Sequence, residues 1–279
     1  MAATDELLID LMRPDEAVQG LRLSDEAGWN QTLQDWGVFL ELGTVFACRA
    51  PEIVGTAALL PYGDIAWIGM VLVTAAWRRR GLATALLERV LDEAERRRLQ
   101  PRLDATPAGA AVYQPLGFRA LGSLTRFRRR CDEARPPDES PEPDALARLI
   151  ALDARAFGRE RAALLRALAG RPGSRLYRER DAVCLVRDGR RAQQIGPLLG
   201  TDESQAVRLL DRVLGAEPGP LVIDVFDRAG QVHDCLLGRG FAVERPFRRM
   251  ARDAGTARGA SDAVPDAGLA FAAAGPEFG

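Results

Sequence analysis

The chain has 279 residues, of which 47% are hydrophobic and 28% charged, with a formal net charge of −1. This length predicts two domains, and the near-neutral charge excludes general recruitment to nucleic acid or to an anionic membrane. All 38 basic residues are arginine, which excludes chemistry that needs a Schiff-base lysine or a P-loop lysine.

The first half of the chain alternates strand and helix patterns. A short strand at Glu6–Met12 is followed by a helix that begins near Pro14 and a second helix after Asn30. Further strands are predicted at Thr44–Ala50, Ile53–Leu60, Ile65–Val73, Arg102–Thr106 and within Phe118–Arg128. An amphipathic helix is predicted at Thr84–Arg98, and a short helix at Ala108–Leu116, ended by Gly117.

A proline- and acid-rich stretch at 132–144 cannot bury a core and is typical of a linker. We therefore predict domains at 1–131 and 145–279. In the second, we expect helices at Ala145–Ala169, Asp202–Leu214 (capped by Thr201) and Val232–Leu237. The stretch Leu176–Arg187 is strand-like, and strands are expected at Gln194–Leu199 and Leu221–Phe226. The Ala/Gly-rich tail from Asp253 is either loose or returns at its apolar end as one last strand.

Four scattered cysteines and a single histidine do not provide zinc-ligand spacing, so no metal site is expected. Isolated thiols, no signal-peptide pattern and no uninterrupted apolar run of about 18 residues favour a cytoplasmic protein that does not span a membrane.

The segment Arg78–Ala83 is the part of the sequence that carries chemistry, because an apolar strand precedes it and a helix follows directly. Such a loop aims main-chain N–H groups and the positive end of a helix at one point, which predicts an anion site. Gly81 permits close approach of the backbone, and Arg78 adds a forked cation suited to a diphosphate. The alternative is a solvated arginine run at the start of a helix.

Two motifs resemble the signatures of the GNAT N-acetyltransferase superfamily. Val73–Ala83 (VTAAWRRRGLA) is similar to V-x-P-x-[YW]-[RQ]-x-x-G-x-[GA], and departs from it only at Ala75. Val112–Phe118 (VYQPLGF) is similar to the Y-x-x-x-G-F turn of the same superfamily. The resemblance implies an α/β (α+β) fold with two tandem GNAT-like domains, each a mostly antiparallel mixed sheet flanked by helices.

The resemblance also implies a role for each matching residue, with acetyl-CoA as the cosubstrate. The N–H of Val71 would stabilise the oxyanion, and the strand ending at Val73 would pair with the pantetheine arm. Tyr113 would protonate the leaving thiolate, although its ring could instead belong to the core. The pyrophosphate would be held by the side chain of Arg78 and the main chain of Arg80, Gly81, Leu82, Ala83 and Thr84.

The general base is not identified by any motif: Asp64, Asp104, Glu26 or a chain of waters could serve. Trp29, Asn30 and Gln31 are candidates for binding the acceptor, and the alternative is a helix cap at Asn30 or Thr32 with Trp29 as a hydrophobic staple. His233, the sole histidine, is interpreted as structural.

The second domain has no R-x-x-G-x-[GA] match after Leu199, and Thr201–Glu203 places acid where phosphate would need donors. We therefore predict that coenzyme A binds only the first domain. The predicted function is transfer of an acetyl group to a primary amine of a small-molecule or amino-acid-like acceptor, by a monomer or homodimer. The alternative is a non-catalytic acyl-CoA sensor.

Overall fold

The computed structural model describes residues 8–130, 144–217, 219–253 and 266–279. The predicted mixed sheet flanked by helices is confirmed. The described helices are α1 Ala17–Glu26, α2 Leu33–Leu42, α3 Leu82–Arg96, α4 Pro107–Tyr113, α5 Ala145–Phe157, α6 Ala162–Ala169, α7 Glu203–Ala216 and α8 Gly230–Gly238. The described strands are β1 Ile9–Leu11, β2 Thr44–Arg49, β3 Ile53–Tyr62, β4 Ile65–Val73, β5 Gln100–Ala105, β6 Phe118–Arg129, β7 Arg175–Glu179, β8 Ala182–Arg187, β9 Gln193–Leu199, β10 Leu221–Phe226, β11 Ala242–Arg252 and β12 Ala270–Ala272.

By packing, the chain divides into two compact units between Pro101 and Arg102, and Asp253 belongs to the first unit. The second unit therefore begins about 30 residues before the predicted linker, so β6 lies in it. Linker residues 132–143 lie outside the described residues, and Asp144 precedes α5 as its N-cap. The domain boundary at the linker stays a prediction.

The first unit has an antiparallel sheet in the order β1–β2–β3–β4. The helices α1 and α2 pack on each other and on β3, and α3 packs on β2, β3 and β4. Close contact between α1 and α2 depends on Gly20, because a Cβ there would lie 2.6 Å from the Trp36 ring. The Trp36 indole N–H donates to Ser24 Oγ at 2.8 Å, which satisfies the buried ring nitrogen.

The second unit has strands in the order β5–β11–β6–β10–β12–β9–β8–β7. The pairs are antiparallel except for a short parallel stretch between β9 and β10. Two ion pairs join strands distant in sequence: Arg126 binds Asp224 through two contacts of 2.8 Å, and Arg249 binds Asp104 at 2.9 and 2.8 Å.

The gap between β9 and β10 is filled by the chain itself. The two strands pair in parallel only as far as Ile195 and Ile223, and β12 then lies between them. The N–H of Ala273 donates to Asp224 O at 2.9 Å, and the N–H of Gly200 donates to Leu269 O at 3.0 Å. Of the two alternatives for the tail, the structure has the last strand, which occupies the space where β9 and β10 separate.

Two predicted stretches are each divided into two elements, and one predicted cap was wrong. The stretch Ala145–Ala169 is two helices, because Gly158 ends α5 in the left-handed conformation with φ +77°. The stretch Leu176–Arg187 is two strands joined by a turn with Arg180 at φ +53°. The cap of α7 is Asp202 and not Thr201, since the Asp202 side chain accepts from the N–H of Gln205 at 2.9 Å. In addition, β11 was not predicted.

Candidate functional site

A β-bulge interrupts β4 at Met70 and Val71. Leu72 is paired with Thr56 and Gly69 with Ala58, so two residues of β4 face only Ala57 on β3. Met70 has φ +52°, a left-handed conformation that a non-glycine residue adopts rarely. The fully buried Thr56 donates from Oγ1 to Met70 O at 2.8 Å. The bulge therefore redirects the main chain at the predicted oxyanion donor, Val71, and Thr56 satisfies the displaced carbonyl.

The chain leaves β4 at Val73 through a 3₁₀ turn at Ala75–Trp77 and then enters the loop Arg78–Gly81. Both Arg79, with φ +60°, and Gly81, with φ +79°, are left-handed. A Cβ on Gly81 would meet no atom within 4 Å, so the need for glycine here is conformational and the space beside it is open. When residues of a tight loop are left-handed, successive N–H groups point toward the same side, and this arrangement favours the binding of an anion.

The N-terminus of α3 is not capped by the chain. No side chain accepts from its first turn, and no acceptor for the N–H groups of Gly81, Leu82, Ala83 or Thr84 is found among the described residues. By contrast, Asp202 caps α7, the helix at the corresponding place in the second unit. Of these two helices, only α3 starts without a side-chain cap, so in the described part of the chain all the N–H groups of its first turn are free at the positive end of the dipole of a 15-residue helix.

The arginines of the loop are exposed but not randomly oriented. Arg78 donates from Nε to Val73 O at 3.0 Å, and its Nη2 lies 3.9 Å from Glu26 Oε1. The guanidinium of Arg80 lies 5.0 Å from the centre of the Trp77 ring. The structure therefore folds the predicted phosphate ligand Arg78 back over the end of β4, with about half of its side chain exposed.

Tyr113 is the last residue of α4, in the second unit, and a 3₁₀ turn at Gln114–Leu116 follows it. Its ring packs against Phe118 with centroids 5.8 Å apart. Gly109 makes room for this ring, because a Cβ there would lie 3.2 Å from Tyr113 Cε2. The Tyr113 hydroxyl has no hydrogen-bond partner among the described residues, and desolvation raises the pKa of Tyr113 to about 12. Tyr113 is therefore a neutral donor at physiological pH.

Two of the carboxylates considered as a general base are already engaged. Asp104 is buried with both oxygens bound to Arg249, and desolvation raises its pKa although Arg249 opposes the shift. The pKa of Glu26 is lowered, first by the hydrogen bond from the Thr74 hydroxyl and then by that from the Ala75 N–H. Asp64 lies in the turn between β3 and β4, where its carbonyl accepts from the N–H of Gln100 at 2.7 Å.

The Trp29–Gln31 segment connects α1 to α2. The cap of α2 is Thr32, in a reciprocal box with Asp35, so a cap at Thr32 is confirmed and one at Asn30 is wrong. Trp29 is half-buried, and its main-chain N–H donates to the main-chain carbonyl of Ser24 at 2.9 Å. Asn30 and Gln31 are each 6% exposed, and Gln31 Oε1 is buried with no partner among the described residues. Gln31 thus offers an unused acceptor.

The remaining predicted residues are divided between the units. Val71, Val73, Arg78 and Arg80–Thr84 all lie in the first unit, within one continuous stretch, and Tyr113 lies in the second. His233, on α8, lies edge-on to Phe127 with centroids 4.9 Å apart, in keeping with a packing role.

Two residues of the site were not predicted in the roles that the structure gives them: Thr56 was not predicted at all, and Glu26 was predicted only as a candidate base. Thr56 gives no sequence signal, because a threonine in a strand is unremarkable. For Glu26 the sequence has one indirect signal: Ala75, the one departure from the first signature, has an N–H group that proline lacks, and this N–H donates to Glu26.

Comparison with known proteins gives the same family for both halves of the chain. Residues 7–118 match a family model described as the acetyltransferase (GNAT) family, and residues 149–264 match one described as an acetyltransferase (GNAT) domain. The uncharacterized N-acetyltransferase YitH of Bacillus subtilis is 25% identical over 257 residues, which cover 86% of this chain and 89% of that protein.

Solved structures share the fold. A putative acetyltransferase from Pyrococcus horikoshii matches with a TM-score of 0.79 and 20% identity, over 100% of this chain and 98% of the other. A tandem GNAT protein from the clavulanic acid biosynthesis pathway matches with a TM-score of 0.65 and 17% identity, over 90% and 99%.

No helix among the described residues is long and apolar enough to cross a membrane. The two family matches lie on either side of the predicted linker and together span most of the chain. Members of the family use acetyl-CoA as a cosubstrate and act on small-molecule or protein amines. The chain belongs to the GNAT acetyltransferase family, with two domains of that family in tandem, and is an acyl-CoA-dependent N-acetyltransferase.

Proposed function

We propose that this enzyme transfers an acetyl group from acetyl-CoA to a primary amine of a small-molecule or amino-acid-like acceptor. The observation that carries the proposal is the uncapped start of α3, where four N–H groups, from the left-handed Gly81 to Thr84, have no acceptor among the described residues. Free donors and a helix dipole at one point suit a diphosphate. The open space beside Gly81 lets a phosphate approach the main chain.

In this proposal the first unit holds the coenzyme. The main chain of Arg80, Gly81, Leu82, Ala83 and Thr84 and the side chain of Arg78 bind the pyrophosphate, and Val73 marks the strand end that pairs with the pantetheine arm. The donors that Arg78 offers to the phosphate are its Nη groups, since Nε donates to Val73 O. The second unit takes no coenzyme in the proposal, because β12 fills the gap between β9 and β10 and Asp202 caps α7.

Acetyl-CoA supplies an activated acyl group as a thioester. The amine attacks the thioester carbonyl directly, so that a C–N bond forms and the C–S bond breaks. The N–H of Val71 stabilises the oxyanion, and the bulge at Met70 fixes the direction of that N–H. The thiolate takes the proton of the Tyr113 hydroxyl, and the amine loses its proton to water. Holding both reactants in place supplies most of the rate.

The acceptor site in this proposal includes Trp29, Asn30 and Gln31. The support comes from Gln31, whose buried Oε1 has no hydrogen-bond donor among the described residues and therefore lacks a partner. A cytoplasmic location belongs to the same proposal, since Cys48, Cys184 and Cys235 are free thiols and suit a reducing compartment.

The test measures release of free thiol from acetyl-CoA over a panel of amines, for the wild type and for Tyr113→Phe. We expect turnover with at least one amine, a fall in kcat of about a hundredfold for the variant, and an unchanged Kd for CoA. Because the pKa of Tyr113 is raised to about 12, deprotonation of this acid should begin to lower the rate only as the pH approaches 12.

Two results would contradict the proposal. Normal turnover by Tyr113→Phe would remove the acid role from Tyr113. Tight binding of CoA by the wild type without turnover of any amine would favour the non-catalytic sensor.

A further inference from the structure

The one departure from the first signature, Ala75, is where the chain makes an additional contact. Ala75 has an N–H group that a proline would lack, and this N–H donates to Glu26 Oε1 at 2.6 Å. The hydroxyl of Thr74 donates to the other oxygen, Oε2, at 2.7 Å. Both carboxylate oxygens of Glu26 are thus bound to adjacent residues that begin the turn after β4.

This contact joins two parts of the first unit that are distant in sequence. Glu26 is the last residue of α1, and Thr74 and Ala75 are 48 and 49 residues away. The same carboxylate lies 3.9 Å from Arg78 Nη2, and Arg78 donates from Nε to Val73 O. Glu26 therefore contacts the start of the turn and also the first arginine of the loop.

A proline at position 75 would restrict the turn at Thr74 and Ala75 through its ring, which fixes φ. Position 75 is the first residue of the 3₁₀ turn, where the fixed φ of proline is favourable. The preceding residue, Thr74, has ψ 147°, within the range that a following proline requires. The backbone therefore has the conformation suited to proline, while the sequence places alanine there.

We propose that Glu26 is a positioning residue for the loop Arg78–Gly81, holding the turn at Thr74 and Ala75 in the conformation that a proline would otherwise fix. The inference rests on the proposed function, because it takes that loop to bind the diphosphate of coenzyme A. Glu26 acts through Thr74, Ala75 and Arg78, and it does not touch the reactants.

Positioning and charge have opposite effects on affinity, which makes the inference testable. Removing an anion close to Arg78 should by itself strengthen the binding of a diphosphate. Loosening the turn should weaken it, since a preorganised loop no longer meets the ligand. We expect positioning to dominate, so Glu26→Ala should raise the Kd for CoA about tenfold, on the scale of two lost hydrogen bonds.

The experiment is calorimetric titration with CoA and, by competition, with pantetheine, which has the same arm but no diphosphate. Glu26→Ala should weaken CoA binding and leave pantetheine binding unchanged. The double variant Ala75→Pro/Glu26→Ala should restore the Kd for CoA to within about threefold of the wild type, because proline replaces the lost constraint. Thermal unfolding of each variant checks that it is folded.

The matched control is Glu88→Ala. Glu88 is an exposed glutamate of α3 with no hydrogen bond or ion pair among the described residues, so its loss changes the charge of the same unit without touching the turn. The Kd for CoA should stay at the wild-type value or fall slightly.

The remaining outcomes contradict either the positioning role of Glu26 or the proposed function. Unchanged or tighter CoA binding by Glu26→Ala, equal weakening of CoA and pantetheine, or no recovery in the double variant would overturn the positioning role and leave the proposed function intact. Failure of the wild type to bind CoA would overturn the proposed function, and this inference with it.

Discussion

At the scale of single residues, the bulge in β4 joins a side chain of one strand to a carbonyl of the next. The left-handed conformation of Met70 turns its carbonyl out of the regular ladder, and the Thr56 hydroxyl supplies the hydrogen bond that the ladder no longer gives. Thr56 is fully buried, so no water replaces its hydroxyl if it is removed. The direction of the Val71 N–H therefore depends on a residue that is not in any motif.

We predict that Thr56→Val lowers kcat for acetyl transfer and leaves the Kd for CoA unchanged. Valine has the same shape but leaves Met70 O without a donor, which should cost about 1–3 kcal/mol of stability. The bulge can then relax, and the predicted oxyanion donor moves. The measurements are urea unfolding, thiol release and calorimetric titration.

Thr56→Ser is the matched variant, because it keeps the hydroxyl and should retain most of kcat. Equal kcat values for the wild type and Thr56→Val would show that the hydroxyl does not position the bulge.

These residues also show why part of the site cannot be predicted from the sequence. Arg78–Thr84 and Tyr113 stand in short continuous motifs, so spacing alone identifies them. Thr56 and Glu26 act on residues 14 and 48–49 positions away, and only the packed fold brings them together. A single sequence contains no pattern for such pairs.

At the scale of elements, the start of α3 combines N–H donors that have no acceptor among the described residues with a glycine in the left-handed conformation. Gly81 is essential to this arrangement for its backbone angle, since φ is +79° and the space around it is empty. We predict that Gly81→Ala destabilises the protein by roughly 1–2 kcal/mol, the cost of a left-handed alanine, without any steric clash. Urea unfolding measures it.

Gly37→Ala is the control for this prediction. Gly37 lies inside α2, a Cβ there would also meet nothing within 4 Å, and alanine favours a helix by about 1 kcal/mol over glycine. Gly37→Ala should therefore stabilise the protein. Destabilisation by both variants to the same extent would contradict the assignment of the Gly81 effect to its φ angle.

Periodicity predicted elements well wherever one strand or helix carried a strong apolar pattern. The prediction for Ile65–Val73 agrees with β4 at both ends, and that for α3 is displaced by two residues. By contrast, β11 was missed because five of its eleven residues are charged, Pro246 interrupts it and only Phe247, Met250 and Ala251 are buried. Its strand conformation comes from pairing with β5 and β6 and not from its own composition.

At the scale of the whole molecule, the sheet of the second unit combines strands from both family-matched regions. The strand β11, from residues 149–264, lies between β5 and β6, and β6 also pairs with β10. Two ion pairs join strands of this sheet that are distant in sequence: Arg126 of β6 binds Asp224 of β10, and Arg249 of β11 binds Asp104 of β5. The resemblance implies one sheet for each domain. The insertion of β11 between β5 and β6 could not be predicted, because the pairing of distant strands depends on geometry that no local pattern encodes.

The same unit contains a position where one atom decides whether the last strand fits. A Cβ on Gly196 would lie 2.0 Å from the carbonyl oxygen of Ala273, and φ there is +140°, a region open almost only to glycine. We predict that Gly196→Ala displaces β12 from the gap between β9 and β10 and lowers the free energy of unfolding by about 2–4 kcal/mol. Hydrogen exchange should accelerate at the Ala273 and Gly200 N–H groups, which bond across this gap. The control variant is Gly215→Ala, since Gly215 lies in α7 and a Cβ there would meet no atom within 4 Å. It should show neither effect. If both N–H groups of Gly196→Ala were protected from hydrogen exchange as in the wild type, β12 would not depend on Gly196 for its place between β9 and β10. The steric reason for excluding coenzyme A from the second unit would then be lost.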